Sequence, residues 1–185
     1  LKRPEFPPNE SELNENLPRL FLRRARFYGD RVALRYKING QYTGSHSWSD
    51  WMTCVRNIAV GLHELGIRKG DRVGIFSENC PEWTFADLGI LSLGAVTVPI
   101  YPTASNENID YIVSHAGLKA LFVSSEEQLQ KVLRFHGKLC PNGLMLFFPK
   151  GMTGVHTMAG LMERGRIVEL NQDSLYENYL SEVGP

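Results

Sequence analysis

Residues 70–124 alternate short apolar runs with helical segments and leave almost no spare residues between them. A Gly-Asp turn at 70–71 precedes an apolar run over 72–77, and a second apolar run over 95–100 follows a helical segment that is apolar nearly all round. A third apolar run covers 120–124. Strands that alternate with helices of this length predict a mostly parallel sheet with crossover helices, and therefore an α/β fold.

Polar residues predict where several elements begin. Asn39-Gly40 lies between two extended runs, so residues 31–46 are predicted to form an N-terminal antiparallel hairpin, because this pair tolerates the positive φ angles of a tight turn. Asn16 is predicted to cap the first helix, and Ser47-Trp48-Ser49-Asp50 predicts the start of a second helix with a capping box. Asn79 is predicted to cap the helix that follows the first parallel strand, with Glu82 returning the hydrogen bond.

The remaining segments carry weaker signals. Residues 1–15 are rich in proline, asparagine and glutamate and are predicted to be a loose arm, so residues 16–185 form the predicted α/β unit. The patterns also predict a helix over 126–136, a strand over 144–148, a loop over 149–160, and two short helices near 157–165 and 172–181.

Charge and cysteine content exclude several classes of protein. The chain has 185 residues with 20 basic and 20 acidic side chains. A net charge of zero argues against broad nucleic-acid binding, which needs a basic surface. Cys54, Cys80 and Cys140 show no metal or disulfide spacing, which favours reduced thiols and a cytoplasmic protein. The most apolar window, Phe85–Ile100, is shorter than the ~18–20 residues of a membrane span.

The sequence holds no complete catalytic or metal-binding motif. The run Lys150-Gly151-Met152-Thr153-Gly154 lacks the Gly-Lys-Ser/Thr of a Walker loop, and neither a dinucleotide fingerprint nor a serine elbow occurs. The five histidines lack the spacing of metal ligands. We therefore assign no catalytic residue and no metal ligand from the sequence.

The loops after the predicted strands are the expected binding region, because open parallel sheets bind ligands beyond the carboxyl ends of their strands. Asn79, Tyr101, Thr103 and Ser124 are the candidate residues of this strand-end cleft. Lys131 and Arg134 lie one turn apart on a polar helix and could contact a phosphate. A solvated helix face is the commoner role of such a pair.

Several motifs together resemble one enzyme family. The N-terminal region of adenylate-forming acyl-CoA synthetases is similar in the order and spacing of Ser47-Trp48-Ser49-Asp50, residues 66–73, 77–83, 94–103 and 119–123. The segment Ile100-Tyr101-Pro102-Thr103 resembles the long-chain fatty acid branch. The resemblance implies a ligase that uses ATP, Mg²⁺ and coenzyme A to convert a fatty acid to its acyl-CoA through an acyl-adenylate.

The resemblance also implies what these residues do not supply. The phosphate loop, the adenine- and ribose-binding motifs, the hinge and the catalytic lysine of the family have no counterpart here. The region is therefore expected to be inactive alone and to bind ATP or coenzyme A poorly. Exposed packing surface makes a homodimer one expectation, with membrane association peripheral at most. Two alternatives stay open, a non-catalytic binding module and a ligase for another carboxylate such as an aryl or amino acid.

Overall fold

Seven strands and seven α-helices run along the residues described by the computed structural model, which are 15–139, 143–148, 155–172 and 174–184. In chain order the elements are α1 (Leu17–Tyr28), β1 (Val32–Ile38), β2 (Gln41–Ser47), α2 (Trp48–Glu64), β3 (Arg72–Phe76), α3 (Pro81–Ser92), β4 (Val96–Ile100), α4 (Asn106–Ala116), β5 (Ala120–Val123), α5 (Glu126–Val132), a 3₁₀ helix (Leu133–Lys138), β6 (Leu144–Leu146), β7 (His156–Thr157), α6 (Met158–Asn171) and α7 (Leu175–Glu182).

The central sheet has five parallel strands in the order β4-β3-β5-β6-β7. Its middle strands are apolar and buried on both faces, as parallel sheets require because helices cover both sides. The chain passes from β3 through α3 to β4 and then returns through α4 to the other side of β3. The predicted α/β fold with a mostly parallel sheet is confirmed.

Alternate residues of each strand enter two separate cores. Val73, Ile75 and Phe122 pack with the helices α1, α2, α3, α6 and α7 on one face. Leu121 and Val123 pack with α4 and α5 on the other face. The helices α3 and α4 therefore lie on opposite faces of the sheet, although they follow the neighbouring strands β3 and β4.

The antiparallel hairpin of β1 and β2 is also confirmed. Ile38 pairs with Gln41, so Asn39 and Gly40 form the two-residue turn. Their φ angles are 51° and 81°, the left-handed values that a tight hairpin turn needs.

Two of the three predicted helix starts hold. The side chain of Asn16 accepts a hydrogen bond from the Arg19 amide at 3.0 Å, and Ser47 forms a complete capping box with Asp50. The prediction for Asn79 is wrong. The N-cap of α3 is Cys80, which has an extended backbone, and no side chain caps this helix. Pro81 decides the start, because proline fits the first helical position and holds the preceding residue extended.

The carboxyl-terminal third departs further from the sequence prediction. The predicted helix over 126–136 is α5 followed by the 3₁₀ helix, and the fourth strand ends at Leu146. His156–Thr157, within the predicted loop, pairs in parallel with Met145 and Leu146 as β7. A two-residue strand is too short to leave a periodic signal. Residues 149–154 and residues 1–14 of the predicted arm over 1–15 lie outside the described residues.

The helix α6 continues beyond its predicted end at 165. Gly165 is buried inside α6, where a Cβ atom would overlap the carbonyl oxygen of Asn57 in α2. A Cβ at Gly61 would likewise overlap the carbonyl oxygen of Leu161. These glycines let the backbones of α2 and α6 approach closely, so tertiary packing overrides the tendency of glycine to end a helix.

We expect Gly165→Ala to lower the free energy of unfolding by about 1–3 kcal/mol, because the added methyl group must displace the Asn57 backbone. Urea denaturation monitored by circular dichroism measures the loss. Gly137→Ala is the control, since a Cβ there meets nothing within 4 Å. Equal midpoints for the two variants would contradict the packing of α6 on α2.

We expect Asn79→Ala to change the free energy of unfolding by less than about 0.5 kcal/mol, because Asn79 is exposed and does not cap α3. Asn16→Ala should cost about 1 kcal/mol by loss of a real cap. If Asn79→Ala lowered the free energy of unfolding as much as Asn16→Ala, Asn79 would have to cap α3 after all.

Candidate functional site

A cleft opens at the carboxyl ends of β3 and β4. Because α3 and α4 leave these strands toward opposite faces, the loops diverge and leave a crevice, which is the usual ligand site of an open parallel sheet. The cleft encloses about 300 Å³. Its lining residues come from the two strand ends and the first turn of α3: Ser77, Glu78, Asn79, Trp83, Pro99, Ile100, Tyr101 and Pro102.

The two loops that form the cleft are held differently. After β3, the buried side chain of Ser77 donates a hydrogen bond to the carbonyl of Glu78 at 2.7 Å, which fixes the bend that leads into α3. After β4, Pro99 and Pro102 restrict the backbone on either side of Tyr101. The Tyr101 side chain is 82% exposed, so its ring is available to a ligand.

The structure brings together two of the four residues predicted for the strand-end cleft. Asn79 and Tyr101 both line it. Thr103 lies with Tyr101 in a neighbouring hollow of about 360 Å³ against α4. Ser124 lines neither cavity. Its amide and its hydroxyl both donate to the side-chain oxygen of Gln128 at 2.9 Å. A binding role for these four residues stays a prediction.

The two basic residues predicted to contact a phosphate both have carboxylate partners. Lys131 pairs with Glu127 at 2.9 Å, and Arg134 pairs with Asp110 at 2.6 Å. Both pairs are partly exposed to solvent and contribute little to stability. A phosphate would have to compete with these carboxylates, and the contact stays a prediction.

Sequence reasoning missed Trp83 as a site residue. The structure shows this side chain half-buried, packed on the core and lining the cleft. Its position in the first turn after Pro81 was the available signal, because a helix that follows a strand places its first turn beside the strand end.

The chemistry of the cleft suits an apolar group better than a triphosphate. Its walls are mainly aromatic, proline and aliphatic, and no Lys or Arg is among the lining residues. Glu78 is the one carboxylate of the lining, and it would repel phosphate. Among the described residues, no group of three or more His, Cys, Asp or Glu side chains could hold a metal ion.

The thiol of Cys80, next to the cleft residue Ser77, is not an activated nucleophile. The sulfur of Cys80 lies 3.6 Å from the hydroxyl oxygen of Ser77. Burial raises the pKa of Cys80, so the thiol stays protonated at neutral pH. The cleft therefore offers a binding surface and hydrogen-bonding groups, and no reacting thiolate.

Comparison with known proteins assigns the chain to a family. A protein-family model described as "AMP-binding enzyme" matches residues 21–157. This chain belongs to the AMP-binding enzyme family. No helix in the described ranges is long and apolar enough to cross a membrane.

Similar proteins agree with that assignment. The long-chain-fatty-acid–CoA ligase ACSBG1 of Homo sapiens is 29% identical over 170 residues, which are 90% of this chain and 23% of that protein. The long-chain-fatty-acid–CoA ligase FadD15 of Mycobacterium bovis is 38% identical over 98 residues, which are 50% of this chain and 16% of that protein. The chain thus spans about a fifth of the length of such relatives. The resemblance to the long-chain branch of acyl-CoA synthetases is confirmed.

A solved structure shares the fold. The coronafacic acid ligase from Pectobacterium brasiliense superposes with a TM-score of 0.70 at 22% identity, covering 80% of this chain and 29% of that one. The parallel sheet and its helices therefore share the fold of the matching part of that ligase.

We expect Cys80 to be alkylated by iodoacetamide more slowly than free cysteine at pH 8, because its raised pKa leaves less thiolate. The rate should keep rising with pH beyond the range where free cysteine levels off. A Cys54→Ser, Cys140→Ser chain isolates the thiol of Cys80 for mass spectrometry. Alkylation of Cys80 at the rate of free cysteine would contradict the raised pKa, and faster alkylation would show an activated thiolate.

Proposed function

We propose that this chain forms the amino-terminal part of an ATP-dependent, AMP-forming fatty acid–CoA ligase. Membership of the AMP-binding enzyme family and the names of the relatives support this reaction class. The observation that carries the proposal is the cleft at the point where the connections of β3 and β4 diverge, since this is where a sheet of this type binds its ligand.

The proposed reaction has two steps. A carboxylate oxygen of the fatty acid attacks the α-phosphorus of ATP, and pyrophosphate leaves with the electrons of the broken P–O bond. The sulfur of coenzyme A then attacks the acyl carbonyl, its proton passes to solvent, and AMP leaves. Mg²⁺ would neutralise phosphate charge in the first step.

The cleft suits the acyl side of this reaction. Trp83, Ile100 and Tyr101 supply apolar and aromatic surface, and the lining residues include no cation to hold a triphosphate. Charge neutralisation of the phosphates must then come from polypeptide beyond these residues. We infer that the 185-residue chain alone does not form acyl-adenylate, and that the longer natural protein does.

We expect the 185-residue chain to show no fatty-acid-dependent exchange of labelled pyrophosphate into ATP, because its cleft lacks phosphate-binding cations. The longer natural protein should show exchange with a long-chain fatty acid such as palmitate. Exchange by the short chain would refute its inferred inactivity. Exchange by the longer protein only with an aryl or amino acid would refute the fatty acid as substrate, and no exchange with any carboxylate would favour a binding module.

In the longer protein, we expect Tyr101→Ala to raise KM for palmitate about fivefold or more, equivalent to about 1 kcal/mol of lost binding, and to leave KM for ATP unchanged. Tyr42→Ala is the control, because Tyr42 is 66% exposed on the hairpin and does not line the cleft. A change in KM for ATP alone would show that the cleft faces the nucleotide instead.

A further inference from the structure

The hairpin of β1 and β2 carries an excess of positive charge. Residues 31–49 contain three basic side chains, Arg31, Arg35 and Lys37, and no Asp or Glu, whereas the whole chain has 20 basic and 20 acidic residues. All three basic side chains are exposed, and no carboxylate among the described residues forms an ion pair with them. The hairpin is therefore a cationic surface on a chain whose net charge is zero.

The end of the hairpin that lies away from the body is exposed to solvent. Among the described strands, β1 and β2 pair only with each other. Their base is tied to the body, because the amide of Trp48 donates to the carbonyl of Arg31 at 3.0 Å. Asp30 and Asp50 flank the strands at this base. The opposite end, residues 37–43, is exposed at every position, and we call it the hairpin tip.

The tip combines a cation with apolar surface. Ile38 is 47% exposed and Tyr42 is 66% exposed. The ammonium nitrogen of Lys37 lies 5.1 Å from the centre of the Tyr42 ring, so charge and aromatic surface adjoin. Arg35, two residues before Lys37 on β1, places a second cation next to the tip. An exposed aliphatic group, a tyrosine and cations in one place are typical of segments that bind the interface of anionic membranes.

We propose that the hairpin tip binds the surface of an anionic lipid membrane. Arg35 and Lys37 meet the phosphates of the headgroups, and Ile38 enters the boundary between headgroups and acyl chains. The ring of Tyr42 lies at headgroup level, as amphipathic rings do. The charges are complementary, because the tip contains no Asp or Glu. No tip residue lines the cleft at the ends of β3 and β4, and the proposal is independent of the ligase reaction.

A lipid surface fits the tip better than a protein or a nucleic acid. The tip is far smaller than the roughly 20–30 residues a side that a stable protein interface uses. A nucleic acid would contact the cations through its phosphates, and it would leave the aliphatic side chain of Ile38 without a matching partner. A fluid bilayer can close around a narrow tip and accept both kinds of side chain.

The tip lies next to the strand-end cleft. Lys37 and Tyr42 line a hollow of about 570 Å³ between the hairpin and the start of α3. Asn79 lines both this hollow and the cleft. Glu82, on the α3 side of the hollow, forms no ion pair with Arg35 or Lys37. A membrane bound at the tip would therefore lie beside the candidate site.

The test measures co-sedimentation of the 185-residue chain with sucrose-loaded vesicles in about 0.1 M salt. We expect binding to vesicles of phosphatidylcholine and phosphatidylserine at about 3:1, and much weaker binding to phosphatidylcholine alone. Salt at about 0.5 M should release the chain, because it screens the attraction between headgroups and tip. The Arg35→Gln, Lys37→Gln chain should bind about 25-fold more weakly, at about fivefold for each charge.

Matched controls separate the tip from net charge and from general exposure. Lys138→Gln, Arg164→Gln removes two charges from exposed positions outside the hairpin and should bind like the parent chain. Ile38→Ser should weaken binding about fivefold without changing its salt dependence, because it removes apolar surface and no charge. Leu170→Ser, at a side chain that is 69% exposed on α6, should have no effect.

Several results would overturn the proposal. They are no sedimentation with the anionic vesicles, equal binding to both kinds of vesicle, or an equal loss of binding in the Lys138→Gln, Arg164→Gln control. Tighter binding to a DNA duplex of about 20 base pairs than to the anionic vesicles would also overturn it. The variants should keep the circular dichroism spectrum of the parent chain, because the substituted side chains are exposed. The assay contains no ATP, coenzyme A or fatty acid, so its outcome is separate from that of the pyrophosphate exchange.

Discussion

The pairing of β3 with both β4 and β5 is the constraint on which the rest of the structure depends. Strands buried on both faces must send their connecting helices to either side, because an uncovered face would expose a row of apolar side chains. The chain crosses in one direction from β3 to β4 and in the other direction from β4 to β5. This reversal separates α3 from α4 and opens the cleft that carries Asn79, Trp83 and Tyr101.

A second layer of contacts ties the end of the described chain to its beginning. The side-chain nitrogen Nδ2 of Asn16 donates to the carbonyls of Val183 and Gly184 at 3.1 and 3.0 Å. The side-chain oxygen of the same residue caps α1. Lys69 donates to the carbonyl of Glu182 at 2.8 Å. Carbonyls at a helix end need such partners, so α7 is held against α1 and the sheet.

The sequence predicted the elements whose signals are local. Asn39-Gly40 predicts its turn because few other pairs tolerate two positive φ angles, and Asn16 and Ser47 predict helix starts because their side chains bond to nearby amides. The prediction that Asn79 caps α3 used the same kind of local signal and was wrong. Its side chain is of a capping type, but the fixed φ of Pro81 placed the helix start one residue later. Two candidate cleft residues, Asn79 and Tyr101, followed from strand ends alone, whereas the place of Trp83 required the packing of α3.

By itself the sequence determined the α/β class, the order of strands and helices through β5, the hairpin and the family, because each depends on neighbours along the chain or on motifs in a fixed order. Only the tertiary structure decided which loops face each other, that α6 lies across α2 through Gly61 and Gly165, and that β7 exists. The contact between Phe21, Trp51 and Leu88 belongs to the second group, because these side chains come from three helices. Such features are set by contacts between distant segments, and periodicity along one segment carries no information about its partner.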